Sequence, residues 1–359
     1  MRHDPAPYTE RLSRLRAGFP DAEALLILNE KNIRYLTGFT GGDGALMVGP
    51  GWLELLVDGR YVTQAREEAL GAEIVEFRNR VEGITAVGRR HALGSIGFEA
   101  AALSVEEQLR LQEGFPEVAL EPLSGGLQSL RMIKDRQEIA LIREAARIAG
   151  EALAAVRAMI RPGVQEKEIA LDLEYRMRSG GAEQVSFETI VAAGAHTALP
   201  HATPGCRTIT DGDCVMVDYG AVYQGYHSDE TCTYIMGHAS ARQEEVYRLV
   251  RQAHDRAIRA VRPGVSCGEI DRVARACLEE AGMGRYFAHG TGHGVGLDVH
   301  EPPRLAVGRE EILQAGMVVT VEPGIYLPGE WGIRIEDTVL VTEEGSERLT
   351  PSTKDLTVL

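Results

Sequence analysis

Long apolar runs are missing from the 359 residues. No stretch approaches the roughly 18 apolar residues that a membrane-spanning helix requires, so no membrane partner is expected. The start, Met1-Arg2-His3-Asp4-Pro5, has no apolar run behind its basic residue, and a secretory signal is not expected either. Cysteine is scarce. Cys206, Cys214, Cys232, Cys267 and Cys277 are odd in number and form no CxxC pair. That argues against a disulfide framework and against a thiolate zinc site, and points to reduced thiols in a cytoplasm. Positive charge is in deficit: 38 Lys and Arg against 53 Asp and Glu leave −15. A surface of that sign repels a nucleic-acid duplex, so nucleic acid is not an expected partner.

What is present is the balance of an ordinary globular protein, 44% hydrophobic and 25% charged. The length suggests two domains, each with a sizeable core. The first part alternates strands and helices. Ala24–Leu28 is a short apolar run, and Gly44–Val48 and Leu53–Asp58 read as strands around a turn at Gly49-Pro50-Gly51. Tyr61–Leu70 has helical spacing, and Ala72–Phe77 and Ser95–Phe98 again read as strands. Ser104 with Glu107 predicts a capping box opening a helix to about Glu113. Together these predict an α/β domain over residues 1–125 with its linker at Leu123-Ser124-Gly125-Gly126. A long amphipathic helix, about Asp135 to Ile160, opens a second domain over residues 126–359.

The second domain contains a repeat. Arg161-Pro162-Gly163-Val164 recurs as Arg262-Pro263-Gly264-Val265, each between two helical segments, with Glu168-Ile169 matched by Glu269-Ile270. More loosely, Val217-Asp218-Tyr219-Gly220 echoes Val321-Glu322-Pro323-Gly324, and Asp229-Glu230-Thr231 echoes Glu336-Asp337-Thr338. Two copies are too few for a solenoid. One domain of two helix-helix-strand-strand halves, facing each other across a pseudo-twofold axis, is the better reading.

Each half brings two acids on strand-like segments. Asp218 and Glu322 end apolar runs, and alternation puts Arg334 and Glu336 on one face. Four carboxylates converging at the axis would repel one another unless cations lay between them. Two divalent ions would balance four negative charges. Oxygen ligation with one imidazole suits Mn, Co, Fe or Zn.

The imidazole lies in His289-Gly290-Thr291-Gly292-His293-Gly294-Val295-Gly296-Leu297-Asp298-Val299-His300-Glu301. This segment resembles the signature of the pita-bread metallopeptidases that cleave Xaa-Pro bonds. Pro200-His201, the pair Asp218 and Asp229, Glu322-Pro323-Gly324 and Arg334-Ile335-Glu336-Asp337 match that family in order. Asn32–Phe39 and Asp58-Gly59-Arg60-Tyr61 resemble the creatinase-type N-terminal domain of aminopeptidase P and prolidase, and Ile133-Lys134-Asp135 through Arg143 resembles the start of their catalytic domain. The resemblance implies a creatinase-like domain followed by a pita-bread catalytic domain. It implies two divalent ions, Mn first, with Asp229 and Glu336 shared between them. Asp218 would complete one site, and His293 with Glu322 the other. A solvent bridging the ions would be the nucleophile, activated by a lowered pKa. His201 and His300 would hydrogen-bond the substrate and the tetrahedral intermediate, and Arg334 would hold the substrate or support Glu336. The implied substrate is a proline-containing peptide and the implied assembly a homodimer. The Gly38-Phe39-Thr40-Gly41-Gly42 stretch resembles the small bacterial aminopeptidase P type, with prolidase as the alternative.

Other readings compete. Taken singly, each acid reads as a surface carboxylate at a strand end, each histidine as a packed or exposed one, and Arg334 as an ordinary ion-pair partner. The ordered set makes those readings poor. His3, His91, His196, His227, His238 and His254 read as structural, and His289 as a support for its loop. Methionine aminopeptidase shares the five ligands but not the N-terminal domain. A creatine-type amidinohydrolase or a catalytically dead binding protein would not keep all five. Gly264-Val265-Ser266-Cys267-Gly268 spells the nucleophile-elbow pattern but follows Arg-Pro rather than a strand; Ser266 with Glu269 reads as a capping box. The Gly290–Gly294 glycines are misplaced for GxGxxG, and no HExxH occurs.

Overall fold

The computed structural model describes residues 6–123 and 126–359. Ser124 and Gly125 of the expected linker lie outside the described residues. The chain forms two compact units, divided between Arg131 and Met132.

The first unit is built on a six-stranded sheet. Its order is Glu73–Phe77, Trp52–Asp58, Ala45–Gly49, Leu25–Ile27, Ser95–Glu99, Ala119–Leu123. Leu25–Ile27 is central and buried throughout, which is why its run carries no polar alternation. Gly49 pairs with Trp52, so Pro50 and Gly51 form the hairpin tip, and Gly51 takes the left-handed φ of 87° that such a turn needs. Ser104 and Glu107 form the expected reciprocal box at the helix Val105–Gly114. Ile84, Val87 and Leu111 from two helices, with Phe115 at the end of the second, pack on Leu26, Met47, Leu56 and Ile96 of the sheet. Helix Arg80–Arg90 and edge strand Ala119–Leu123 were not legible beforehand. The strand carries Pro122, which only an edge tolerates.

In the second unit, Arg136–Val156 is a long helix opened by an Asp135–Glu138 capping box. It stops short of the expected Ile160, because Arg157–Met159 tightens to a 3₁₀ turn before Pro162. The repeat is structural. Gly163 and Gly264 take φ values of 87° and 85°, and their N–H groups bond the carbonyls of Ile209 and Leu313, each at 2.9 Å. Each turn leads into a second helix, Glu166–Ser179 in one half and Cys267–Glu280 in the other. One helix pair packs Leu153, Leu173 and Met177 on Val215 and Val217; the other packs Ala257, Ile270 and Ala274 on Val319 and Val339. Ser266 is the N-cap of its helix, its Oγ accepting the Glu269 N–H at 3.2 Å, so it is no nucleophile elbow. The return half of the expected capping box is not made, because Glu269 turns to Arg272 instead.

The halves join along strand Glu230–Ile235 and the segment 334–338. Thr233 Oγ1 donates to Arg334 O at 2.8 Å, and Glu336 N donates to Thr231 O at 3.2 Å. Two threonines related by the repeat also cross over: Thr231 Oγ1 donates to Glu336 Oε2 at 2.6 Å, and Thr338 Oγ1 donates to Asp229 O at 2.7 Å. No helix of the described residues is long and apolar enough to cross a membrane.

Candidate metal centre

A cavity of about 540 Å³ opens in the second unit, and all eight residues singled out above line it. Strand Cys214–Tyr219 delivers Asp218, and Asp229 immediately precedes the antiparallel strand Glu230–Ile235 that pairs with it. Glu322 follows strand Val318–Val321, His293 sits inside Gly292–Gly294, and Arg334 ends Trp331–Arg334 with Glu336 just beyond. Ligating atoms of Asp229, His293 and Glu336 lie within 4.8 Å of one another. Glu322 Oε1 is 3.4 Å from His293 Nε2, and Asp229 Oδ2 is 3.6 Å from it. Asp218 shares the cavity and is held by Arg334, whose Nη2 donates to Oδ2 at 2.6 Å. His201 and His300 are exposed on the wall, the His300 ring 4.3 Å from that of His293.

The histidine is oriented before any ligand arrives. His293 Nδ1 lies 3.1 Å from Gly294 O, so Nδ1 carries the proton and Nε2 presents its lone pair to Asp229 and Glu322. Thr320 Oγ1 accepts the His293 N–H at 3.0 Å and donates to Glu322 Oε1 at 3.3 Å. Burial, with His300 beside it, lowers the His293 pKa to about 4, so the ring is neutral at physiological pH.

The carboxylates behave as a crowded set. Burial raises the pKa of Asp229, and Glu336, Asp218 and Glu322 add repulsion. Burial likewise raises Glu336 and Glu322, with neighbouring carboxylates adding to each. Asp218 Oδ1 is buried with no hydrogen-bond partner among the described residues. Four acids, one orphaned oxygen and a neutral imidazole lone pair, with the Arg334 guanidinium the only cation bonded to any of the acids among the described residues, fit divalent cations with oxygen and nitrogen preference.

A raised carboxyl binds its proton more tightly in the folded chain. Its contribution to stability is present below the unfolded pKa and lost as pH rises through the folded one. His289 and His293, both lowered to about 4, act in the opposite sense, but only below about 6.5. Above that value the carboxyls act alone, up to Glu322 at about 8. Metal-free protein is therefore expected to lose thermal stability from about pH 6.5 to 8, and divalent ions to remove the loss. A melting temperature in EDTA that stays flat or climbs across that window would contradict this.

Three residues at the site were not singled out from the sequence. Arg304 is the cross-strand partner of His293, so both side chains rise from one face, and Arg304 also lines the cavity. It is exposed and has no carboxylate in ion-pair range among the described residues. Its distance from His293 across a hairpin left no signal in spacing. Thr231 was visible only as part of the repeat. Tyr326 joins His289 to Arg334: its hydroxyl is 2.8 Å from His289 Nε2 and accepts from Arg334 Nη1 at 2.9 Å. His289 Nδ1 also meets Gly290 O at 2.8 Å.

Comparison with known proteins identifies the family. Residues 11–133 match the creatinase/prolidase N-terminal domain, and residues 140–343 match metallopeptidase family M24. An Xaa-Pro dipeptidase of Pyrococcus horikoshii is 37% identical over 340 residues, covering 93% of this chain and 94% of that protein. The solved Xaa-Pro dipeptidase from Bacillus anthracis is 39% identical with a TM-score of 0.95, over 98% of this chain and 100% of that one. The X-Pro aminopeptidase from Thermotoga maritima is 34% identical with a TM-score of 0.92, over 97% and 100%. The chain therefore belongs to metallopeptidase family M24, a metal-dependent peptidase with a creatinase-type N-terminal domain ahead of a pita-bread catalytic domain.

Proposed function

We propose that the chain hydrolyses the peptide bond between an N-terminal residue and a following proline, with the Xaa-Pro dipeptide as its preferred substrate. The observation that carries this is the convergence of Asp229, His293 and Glu336 in one cavity with Asp218 and Glu322, in a chain whose full-length relatives include two named Xaa-Pro dipeptidases. Asp229 and Glu336 would be shared by two divalent ions, with Asp218 completing one site and His293 with Glu322 the other. Mn is the first choice, with Co, Zn and Fe as alternatives. Such ions supply Lewis acidity and bring the pKa of water toward neutrality.

The remaining work falls to the chain's own side chains. Proline has no amide N–H to be gripped, so recognition has to run through carbonyl oxygens and termini. Partial desolvation on the cavity wall, with Arg304 beside it, holds His300 below its ordinary pKa. Its neutral imidazole form would offer one N–H to a carbonyl oxygen as that oxygen gains charge. His201 stands on the same wall. Arg334 holds Asp218 and also donates to Pro200 O at 3.1 Å, which sets the loop that carries His201.

Arg304 favours the dipeptide. A cation without an acidic partner, on the same face as His293, suits the free carboxylate that a dipeptide places close to the cleaved bond. The aminopeptidase reading is favoured by the Gly38–Gly42 stretch and by the similarity to the Thermotoga maritima structure. Rates on Xaa-Pro and Xaa-Pro-Yaa peptides with added Mn, Co or Zn separate the two. Xaa-Pro should be cleaved faster, and Arg304→Ala should raise its KM roughly tenfold, the equivalent of about 1.4 kcal/mol. Cleavage of tripeptides alone would favour aminopeptidase P, and inertness toward both peptides with every metal would sink the Xaa-Pro assignment. We also propose a cytoplasmic homodimer on the strength of the resemblance; a monomer in sedimentation at working concentration would overturn the dimer.

A further inference from the structure

Asp229 and Glu336 are each followed by a second acid, Glu230 and Asp337. Strand alternation turns these two away from the cavity, and neither lines it. Both are 1% exposed. Between them lies Lys354, itself 3% exposed. Its Nζ donates to Glu230 Oε1 and stands 3.6 Å from Asp337 Oδ1. The same C-terminal segment supplies a further bond to each acid: Ser352 N donates to Glu230 Oε1 at 3.1 Å, and Thr350 Oγ1 donates to Asp337 Oδ1 at 2.7 Å. Tyr219 OH closes the other side of Glu230 at 2.6 Å, and His254 and Arg348 stand 3.2 and 3.3 Å from Asp337 Oδ2.

The arrangement respects the repeat. Glu230 comes from one half and Asp337 from the other, while Lys354 belongs to neither. One buried ammonium thus ties together the backbones that carry the two acids shared by the proposed metal pair. We propose that Lys354 is a positioning residue for the metal centre, setting the separation of Asp229 and Glu336 from behind the sheet. The inference rests on the metal site proposed above.

Charge and position make opposite predictions. A positive charge behind a cation site opposes cation binding, so if charge alone mattered, its removal would tighten binding. If Lys354 acts by position, its removal loosens the site. The test is calorimetric titration of chelator-stripped, full-length protein with Mn²⁺, alongside circular dichroism. Wild type is expected to take up two equivalents. Lys354→Met is expected to weaken uptake roughly 10–100-fold, the range for groups that orient a metal ligand, with an unchanged far-ultraviolet spectrum. Lys354→Arg should recover part of the loss. If Lys354→Met does not accumulate as folded protein, Lys354→Arg and Thr350→Val decide, each expected to weaken Mn²⁺ binding. Unchanged or tighter binding in the folded variants overturns the positioning role while leaving the metal site intact. Wild type that takes up no divalent ion overturns the site itself, and this inference with it.

Discussion

Glu336→Gln is expected to abolish turnover and, without divalent ions, to make the protein more stable. Both effects have one cause. Glu336 is 2% exposed and sits among acids that raise its pKa, burial first and then Glu322 and Asp218. Ionising it in the metal-free chain opposes folding. Glutamine keeps the shape and an oxygen to accept the 2.6 Å bond from Thr231 Oγ1, but adds no charge. Relief of one pKa unit of repulsion is about 1.4 kcal/mol, or roughly 3–6 °C in melting temperature for a domain of this size. With metal the balance is expected to invert, because Glu336, as the proposed shared ligand, would support both ions. Turnover should fall by more than about 100-fold, the upper end for groups that merely orient ligands. Calorimetry in EDTA and kcat/KM with Mn²⁺ measure the two halves. Wild-type turnover, or a lower melting temperature in EDTA, would refute the shared-ligand role.

Arg334→Met should destabilise the protein more than any surface change. The guanidinium is 3% exposed and makes four bonds: to Asp218 Oδ2 at 2.6 Å, Thr231 Oγ1 at 3.1 Å, Pro200 O at 3.1 Å and Tyr326 OH at 2.9 Å. Its loss leaves Asp218 buried and unpaired beside three other acids. Removing one partner of a buried ion pair costs about 3–5 kcal/mol. That corresponds to a fall of roughly 6–20 °C in metal-free protein. Lysine should not rescue it, because a point charge cannot reach four acceptors spread in a plane. Bound divalent ions should recover part of the stability, since they replace the lost positive charge and bind only the folded chain. Activity should stay low even then, because the loop from Pro200 loses its anchor. A melting temperature within about 2 °C of wild type would show that Asp218 is neutralised some other way.

The repeat explains why so much of this site could be read early. Asp218 and Asp229 in one half, with Glu322 and Glu336 in the other, sit at matched places after matched turns, and the turns require glycine at φ 87° and 85°. Such features follow from local rules, in which a left-handed turn, an apolar run or a two-residue alternation constrains only its neighbours. The Ser104–Glu107 box and the buried strand Leu25–Ile27 were legible for the same reason. Helix Arg80–Arg90 was missed, although Asn79 caps it, because its burial is confined to a few residues and its apolar stripe is thin.

By itself, then, the sequence determined the order of the two domain types, the duplicated half and four acids that the fold brings to one cavity. Tertiary structure alone decided which charges face them. Arg334 reaches Asp218 across the joint between the halves, Arg304 meets His293 across a hairpin, and Lys354 comes back from the C-terminal segment to lie behind Asp229 and Glu336. The reason is physical. A carboxylate's place on a strand is set by residues beside it, whereas its pKa and its partner are set by whatever the fold brings within a few ångströms through a low-dielectric interior.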